Sequence, residues 1–292
     1  MRIFVLGGTG SIGTAVTPEL VSHGHDVLAL ARSDSSARAL RDWGAEVVRG
    51  DVTSDDVSWA THIGQCDAVI NLADTFEENM AEVEPRISDL IIAQAATMEH
   101  PLRVLWTGGC WQYGATGDRV ATEDDEFHPI SFYKRAQMTA DKLLAAENVS
   151  PAILHPAMVY HKSGGVFERF IDQAQTSDPI DIWGGPDTRW PLVHRDDVAV
   201  AYRLLAEHAD LVGHFNVTAE QGIRVGDIVD AIAQHHDHRA GRRVRAMEEV
   251  VAENGAWAEG PTLDQQISAE KIMRDTGWRP QVTSFQASDL FD

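Results

Sequence analysis

The sequence is poor in lysine. Lys134, Lys142, Lys162 and Lys271 are its four lysines, and 24 Lys plus Arg stand against 45 Asp plus Glu, a formal net charge of -21 over 292 residues. Without a basic footprint, nucleic acid and anionic membrane are excluded as partners. The acid surplus fits either a high-salt cytoplasm or a GC-rich genome. Cysteine is nearly absent: Cys66 and Cys110 have neither metal-ligand spacing nor a disulfide framework, which points to a reducing compartment. No apolar run reaches the ~18 residues of a membrane helix, and the apolar start lacks a signal peptide's long hydrophobic region, so a cytoplasmic protein is expected. The sequence has no H-E-x-x-H, no Ser-His-Asp elbow, no internal repeat and no low-complexity tail.

What it does contain begins at once. Met1 to Leu6 is an apolar run of strand length that ends in Gly7, Gly10 and Gly13, spaced G-x-x-G-x-x-G, with a helical pattern from Thr14 to His23. Strand, tight turn and helix in that order suit a dinucleotide pyrophosphate, because side-chain-free residues let backbone N–H groups and the helix N-terminus approach it. Thr9, Ser11 and Ile12 complete the loop. A second strand, 26–31, follows at βαβ distance and ends in Ala31-Arg32-Ser33. An acidic residue there would bind the adenosine ribose; Arg32 and Ser33 instead match a 2′-phosphate, so NADP(H) is expected over NAD(H). Arg38 is a second possible phosphate contact, or part of a solvated helix face.

Alternation continues with a helix near 35–43, a strand over 45–50 with Asp51 and Val52 at its adenine-facing end, a short helical stretch, and a strand over 67–73. Leu72 and Ala73 close that strand against the cofactor, since open α/β sheets bind ligands at the carboxyl ends of their strands. A long helix is expected over 77–99, kinked near Pro85, and a strand over 102–107. The fold class is α/β: a doubly wound parallel sheet of Rossmann type with a smaller C-terminal substrate lobe. The expected division is 1–155 plus 191–217 for the dinucleotide domain and 156–190 plus 218–292 for the lobe.

The glycine loop, Gly50-Asp51-Val52, Asn71-Leu72-Ala73, Tyr113-Gly114, Tyr133 opening a helix, His155-Pro156 and Val193-His194-Arg195-Asp196-Asp197-Val198-Ala199 together resemble the extended short-chain dehydrogenase/reductase family, in its NAD-dependent epimerase/dehydratase-like branch. The likeness runs from Met1 to Pro280. It implies a catalytic Ser/Thr, Tyr and Lys, the last two spaced Y-x-x-x-K on one helix face, with the lysine lowering the tyrosine pKa from ~10. Here Tyr133 is in register, but Gln137 stands at the lysine position and Gly109 where a Ser or Thr is common. Lys134 cannot substitute, being ~100° around the helix. Gln137 can hydrogen-bond a ribose hydroxyl but brings no charge. Thr107 and Cys110 are neighbouring candidates out of register. The chain therefore resembles an atypical member.

The resemblance also implies a pocket near Gly109, Cys110, Trp111, Met158 and Trp183, with His155 beside the cofactor in place of an arginine. That replacement disfavours a nucleotide-sugar substrate and favours a small or apolar one. His194 with Asp196 and Asp197 is expected to cap a helix over 197–207. His235-His236-Asp237-His238 lacks metal-ligand spacing, so no metal is expected. Residues 248–259 are read as a solvated segment or mobile loop, and 265–276 as a final amphipathic helix. Family likeness suggests a homodimer through the helices near 77–99 and 133–148. Three functions fit: an NADP(H)-dependent oxidoreductase acting on a small carbonyl, imine or related substrate, with Tyr133, Gln137 and Thr107 as catalytic candidates; a dinucleotide sensor without turnover; or an epimerase or dehydratase that retains NAD(P).

Overall fold

The structure, a computed structural model, describes residues 1–74 and 79–291. In chain order its regular elements are β1 (Arg2–Leu6), α1 (Gly13–Ser22), β2 (Asp26–Ala31), α2 (Asp34–Asp42), β3 (Glu46–Arg49), β4 (Ala68–Asn71), α3 (Met80–Ala95), β5 (Leu102–Thr107), α4 (Lys134–Leu144) and β6 (Val149–Pro156). Then come β7 (Met158–His161), β8 (Gly164–Gly165), α5 (Glu168–Ala174), β9 (Ile180–Trp183), β10 (Arg189–His194), α6 (Arg195–Glu207) and β11 (Gly213–Val217). The chain ends with β12 (Glu220–Arg224), α7 (Val225–His235), β13 (Arg242–Arg245), α8 (Met247–Asn254) and α9 (Glu270–Thr276). Glu77 and Glu78, the expected start of the third helix, lie outside the described residues.

Seven strands form one parallel sheet in the order β11-β6-β5-β4-β1-β2-β3. Parallel strands joined by crossover helices are covered on both faces and so read as unbroken apolar runs. In β1, Ile3 and Val5 face a core built with α1, α2 and α6, whereas Phe4 and Leu6 face one built with α3, α4 and the 3-10 turn Ser58–Gln65. Arg103 interrupts β5 yet is buried. Its guanidinium donates to Leu205 O at 2.7 and 3.0 Å and to Ser150 O and Oγ at 3.1 Å, tying β5 to β6 and α6.

The smaller lobe has a sheet in the order β12-β10-β7-β8 and a parallel pair β13-β9. Two expectations for it are corrected. Residues 248–259 are largely solvated, as one of the two readings has it, but they are not a loop: Met247–Asn254 is a helix of good helix formers, its Val250 buried against Trp183 and Ala258, and Gly255 at φ 93° ends it. The final helix is shorter than expected, because Gln265 to Ser268 run extended. Gln265 N–H donates to Arg189 O, Ile267 N–H to Gln221 O and Ser268 N–H to Ala121 O. The buried Gln265 side chain also donates to Cys110 O at 2.9 Å and Gly114 O at 2.7 Å, holding the turn beyond β5.

β10 leads directly into α6, whose N-cap is His194, its ring accepting from Asp196 N–H. Asp197, buried in the first turn, accepts Gln281 N–H at 2.7 Å and Val282 N–H at 3.0 Å, while its own carbonyl accepts the Trp278 indole at 2.9 Å. This clamp seats Trp278 in the core between the seven-stranded sheet and α6. Asp197→Ala strands those N–H donors, and urea unfolding is expected to show a loss of about 2–4 kcal/mol; an unchanged midpoint would mean the C-terminal segment is held by packing alone.

Candidate cofactor cleft and active site

The glycine loop is folded tightly. Gly10 N–H donates to Gly7 O at 2.9 Å, and the Thr17 hydroxyl donates to Gly8 O at 3.2 Å. Gly7 has φ 79°, and a Cβ there would lie 2.6 Å from Leu72 C; one on Gly13 would lie 2.2 Å from Gly7 O. The loop thus packs backbone to backbone against the end of β4, and α1 starts immediately behind it. Such an arrangement fits an anionic dinucleotide bridge.

In front of the loop is a cleft of about 500 Å³ whose wall includes Gly7, Thr9, Gly10, Arg32, Ser33, Asp51, Val52, Leu72 and Ala73. Ser11, Ile12 and Gly13 lie in the same loop, outside that wall. Ser33 caps α2 by accepting Ser36 N–H at 3.1 Å, and Thr9 donates to Ser36 Oγ at 3.2 Å. Ser35, Ser36 and Thr53 also line the cleft and were not singled out from the sequence; the serine at the cap followed by another three residues on was the available signal. Burial opposes ionisation of Asp51, but hydrogen bonds from Thr53 N–H and Oγ–H outweigh it and hold its carboxyl below the usual range. A larger hollow, about 700 Å³, lies at the amino ends of the strands near Met1, Cys66 and Arg103, away from the loop.

Beyond β5 the chain turns through Gly108 to Gly114, and Tyr133 comes to rest on that turn. A Cβ on Gly109 would lie 2.4 Å from the Tyr133 hydroxyl oxygen. Trp111 meets the Tyr133 ring edge-on, centroids 5.7 Å apart, and Gly260 packs on the Trp111 indole. Arg135, two residues on, pairs with buried Glu84 of α3 and, at 3.1 Å, with Asp74 of the cleft wall. Burial, then the charge of Asp74, push the Tyr133 phenol above its usual range despite Arg135. Gln137 follows one turn later, half-buried.

Residues 3–218 match the NAD dependent epimerase/dehydratase family. The chain belongs to that family. This epimerase/dehydratase-family chain is 27% identical over 293 residues to the Uncharacterized protein YLL056C of Saccharomyces cerevisiae, covering 96% of this chain and 95% of that one. UDP-glucose 4-epimerase of Thermus thermophilus, in complex with NAD, shares its fold with TM-score 0.80 at 19% identity, covering 100% and 97% of the two chains. The human epimerase family protein SDR39U1 with NADPH gives TM-score 0.78 at 19% identity over 99% and 98%. Family and fold are those of dinucleotide-binding enzymes of oxidoreductase and epimerase type.

The expected preference for NADP(H) is corrected. Solved structures of similar fold include five complexes with NAD, from the Thermus epimerase, MoeE5 and DesIV, beside the human NADPH complex. Arg32 is exposed on the cleft rim, and so long a side chain suits either cofactor, because it can turn to water or lie along an adenine face.

Several other expected site residues in this family member sit away from the cleft. His155 is wholly buried behind the turn. Its Nδ1 accepts from Gly109 N–H at 3.3 Å, its Nε2 lies 2.9 Å from His214 Nδ1, and the two rings stack. A Cβ on Gly108 would collide with that ring at 2.5 Å, so His155 supports the turn from inside. The Thr107 hydroxyl is committed to Asn71 O and Tyr202 Oη, each at 2.6 Å, and has no proton to spare for a ligand. Cys110 is buried, which pushes its thiol up to about 12. Met158 and Trp183 are lobe core, and Trp183 carries the Arg169 guanidinium 4.2 Å above its ring. Among the described residues no group of three or more His, Cys, Asp or Glu could hold a metal, and no helix is long and apolar enough to cross a membrane.

Two outcomes follow from this geometry. Burial first, then His214, hold His155 neutral well below the usual histidine range. The unfolded chain therefore binds more protons below ~6.5, and stability is lost as pH falls through that value, by about 2 kcal/mol at pH 5 relative to a histidine of unchanged pKa. Unfolding titrations at pH 7.5 and 5 on the natural chain and His155→Asn should show a shallower pH dependence in the variant; equal slopes would mean His155 takes up its proton in the folded state. Gly13→Ala, by forcing a Cβ onto Gly7 O, should weaken dinucleotide binding at least tenfold in calorimetry, and unaltered binding would remove the loop from the site.

Proposed function

We propose that this chain is an atypical epimerase/dehydratase-family oxidoreductase that uses NAD(H) and acts on a small carbonyl, imine or related substrate. The observation that carries the reading is the juxtaposition of a glycine cradle at the end of β1 with Tyr133 over the turn beyond β5, linked by Asp74, which belongs to the cleft wall and to the Arg135 ion pair. Gly7, Gly10 and Gly13 with the backbone of Thr9, Ser11 and Ile12 would hold the pyrophosphate. Asp51, Val52, Leu72 and Ala73 would flank the adenine half, and Gln137 would reach a ribose hydroxyl. A nicotinamide dinucleotide, when bound, supplies or accepts the hydride. Tyr133 binds and orients the substrate oxygen and holds a proton at its hydroxyl. Gln137 in place of the family's usual lysine, together with Gly109, makes the member atypical.

Recognition of a diphosphate needs free cations, whereas four arginines of the smaller lobe are engaged. Arg169 lies over Phe170 and Trp183, Arg189 grips Asp264 and Asp118, and Arg243 and Arg245 share Asp181. A substrate without a nucleotide diphosphate fits this better than one with it. The expected division into 1–155 plus 191–217 and 156–190 plus 218–292 is kept for the functional halves, although β10 pairs within the smaller sheet.

Calorimetric titration with NADH, NAD⁺, NADPH and NADP⁺ is the direct test. NADH should bind at least as well as NADPH, with Arg32→Asp changing NADH affinity less than about threefold, since no 2′-phosphate is involved. A carbonyl panel with NADH should then show turnover that Tyr133→Phe lowers by ~10²-fold or more. Binding of none of the four refutes the cofactor reading; binding without turnover of any carbonyl or imine refutes the enzyme reading.

A further inference from the structure

Arg195, the first residue of α6, meets an acid only loosely. Its Nε stands 3.8 Å from Asp196 Oδ1 and is buried without a hydrogen-bond partner. Its hydrogen bond goes instead to another element: Nη1 donates to the Thr14 hydroxyl oxygen, in the first turn of α1, at 3.3 Å. The Thr14 hydroxyl in turn donates to Ser11 O at 2.9 Å. Two hydrogen bonds thus run in series from α6 to the glycine loop, and they reinforce each other, because a hydroxyl that accepts from a cation becomes a better donor.

The start of α1 has no side-chain cap, since Ile12 stands at the N-cap and carries no acceptor. The Thr14 hydroxyl is therefore what holds the Ser11–Ile12 peptide. In a planar trans peptide the C=O and the N–H point opposite ways. Drawing the Ser11 carbonyl onto Thr14 turns the Ile12 N–H outward, toward an anion approaching the helix N-terminus.

Arg195 also stands where the sheet of the smaller lobe ends. β10 pairs with β7 through Leu192, Val193 and His194, and α6 begins at the next residue. Its place is fixed on either side: the His194 ring accepts Asp196 N–H, and Asp197 accepts the N–H groups of Gln281 and Val282. The guanidinium carries the position of that sheet to the loop of the dinucleotide half.

We propose that Arg195 is a positioning residue of the cofactor site, which reaches from the end of the smaller sheet to the Thr14 hydroxyl and through it sets the Ser11–Ile12 peptide for a pyrophosphate. This rests on the dinucleotide reading above. Arg195 acts through Thr14, so its loss weakens binding of the dinucleotide and leaves the chemistry of the bound complex alone.

The experiment is calorimetric titration of the full chain with NADH. Thr14→Val and Arg195→Gln should each weaken binding about three- to tenfold. The double variant should bind within about twofold of the weaker single variant, because both changes break one series. Arg195→Lys keeps a donor for the single contact with Thr14 and should bind at least twofold more tightly than Arg195→Gln; a general defect at the start of α6 would show neither rescue nor non-additivity. An Arg195→Gln affinity within twofold of the natural chain overturns the proposal, as do losses that multiply in the double variant or a lysine that rescues nothing. Should Arg195→Gln fail to fold, Thr14→Val decides, an unchanged affinity removing the series. A natural chain that binds no dinucleotide overturns the cofactor reading and this inference together, whereas natural binding that the variants leave unchanged overturns this inference alone.

Discussion

The close approach of the first loop to the end of β4 is the contact on which the rest of the site depends. Gly7 sits where a Cβ would be 2.6 Å from Leu72 C and 2.7 Å from Ala73 N, so two backbones touch with nothing between them. That contact brings the carboxyl ends of β1 and β4 together, sets α1 behind the loop, and carries the chain from β4 straight to Asp74. Asp74 in turn meets Arg135, and Arg135 belongs to the same helix as Gln137 and lies two residues from Tyr133. The geometry is transmitted from cradle to phenol through one backbone packing contact and one ion pair. A side chain at position 7 would disturb both ends of the site.

The acidic composition has a local counterpart. With 24 Lys plus Arg for 45 Asp plus Glu, most cations find an acid. Buried Arg103 and half-buried Arg169 use other partners: Arg103 is held by carbonyls and a serine hydroxyl, and Arg169 by aromatic faces and a carbonyl. Burial lowers both to about 10, still well above neutral pH, so they remain cations. Arg135 is the cation whose charge acts on the phenol, and that charge is offset by Glu84 and Asp74. The same economy of cations that disfavours a diphosphate substrate also leaves Tyr133 without an activating charge.

Much of the sheet was legible because parallel strands covered on both faces must be apolar throughout. The strands 26–31 and 102–107 are found at the expected residues, and the glycine loop lies where its spacing put it. The misread parts have identifiable causes. Residues 248–259 carry enough charge to hide that Val250 alone anchors a helix. Gln265 to Ser268 have helical periodicity, yet their N–H groups are claimed by Arg189, Gln221 and Ala121 from distant parts of the chain. The resemblance puts His155 beside the cofactor, but sequence does not say which face of β6 it leaves from, and its ring turns inward to Gly109 N–H and His214. Arg32 could not decide the cofactor because a flexible guanidinium has more than one use. Nor does anything in the sequence announce a contact between Gly109 and Tyr133, which are distant in the chain; the only hint was a glycine where a hydroxyl residue is common.

The two departures at 109 and 137 have a common physical logic on the proposed reading. A lysine one turn beyond the tyrosine stabilises the phenolate that forms when the tyrosine gives up its proton, and Gln137 brings no such charge. A serine or threonine at 109 supplies a second hydroxyl, and that hydroxyl needs the volume which the Tyr133 ring tip occupies here. With the ring tip in that volume, one hydroxyl stands where two would be, half-buried and beside the charges of Asp74 and Glu84, which raise its pKa. A lysine at 137 would then have to oppose burial and two carboxylates, whereas an amide there still positions a ribose hydroxyl without adding a buried charge. On the proposed reading the two departures therefore meet at one group: the Tyr133 ring tip takes the volume beside Gly109, and Gln137 one turn on adds no charge to its surroundings.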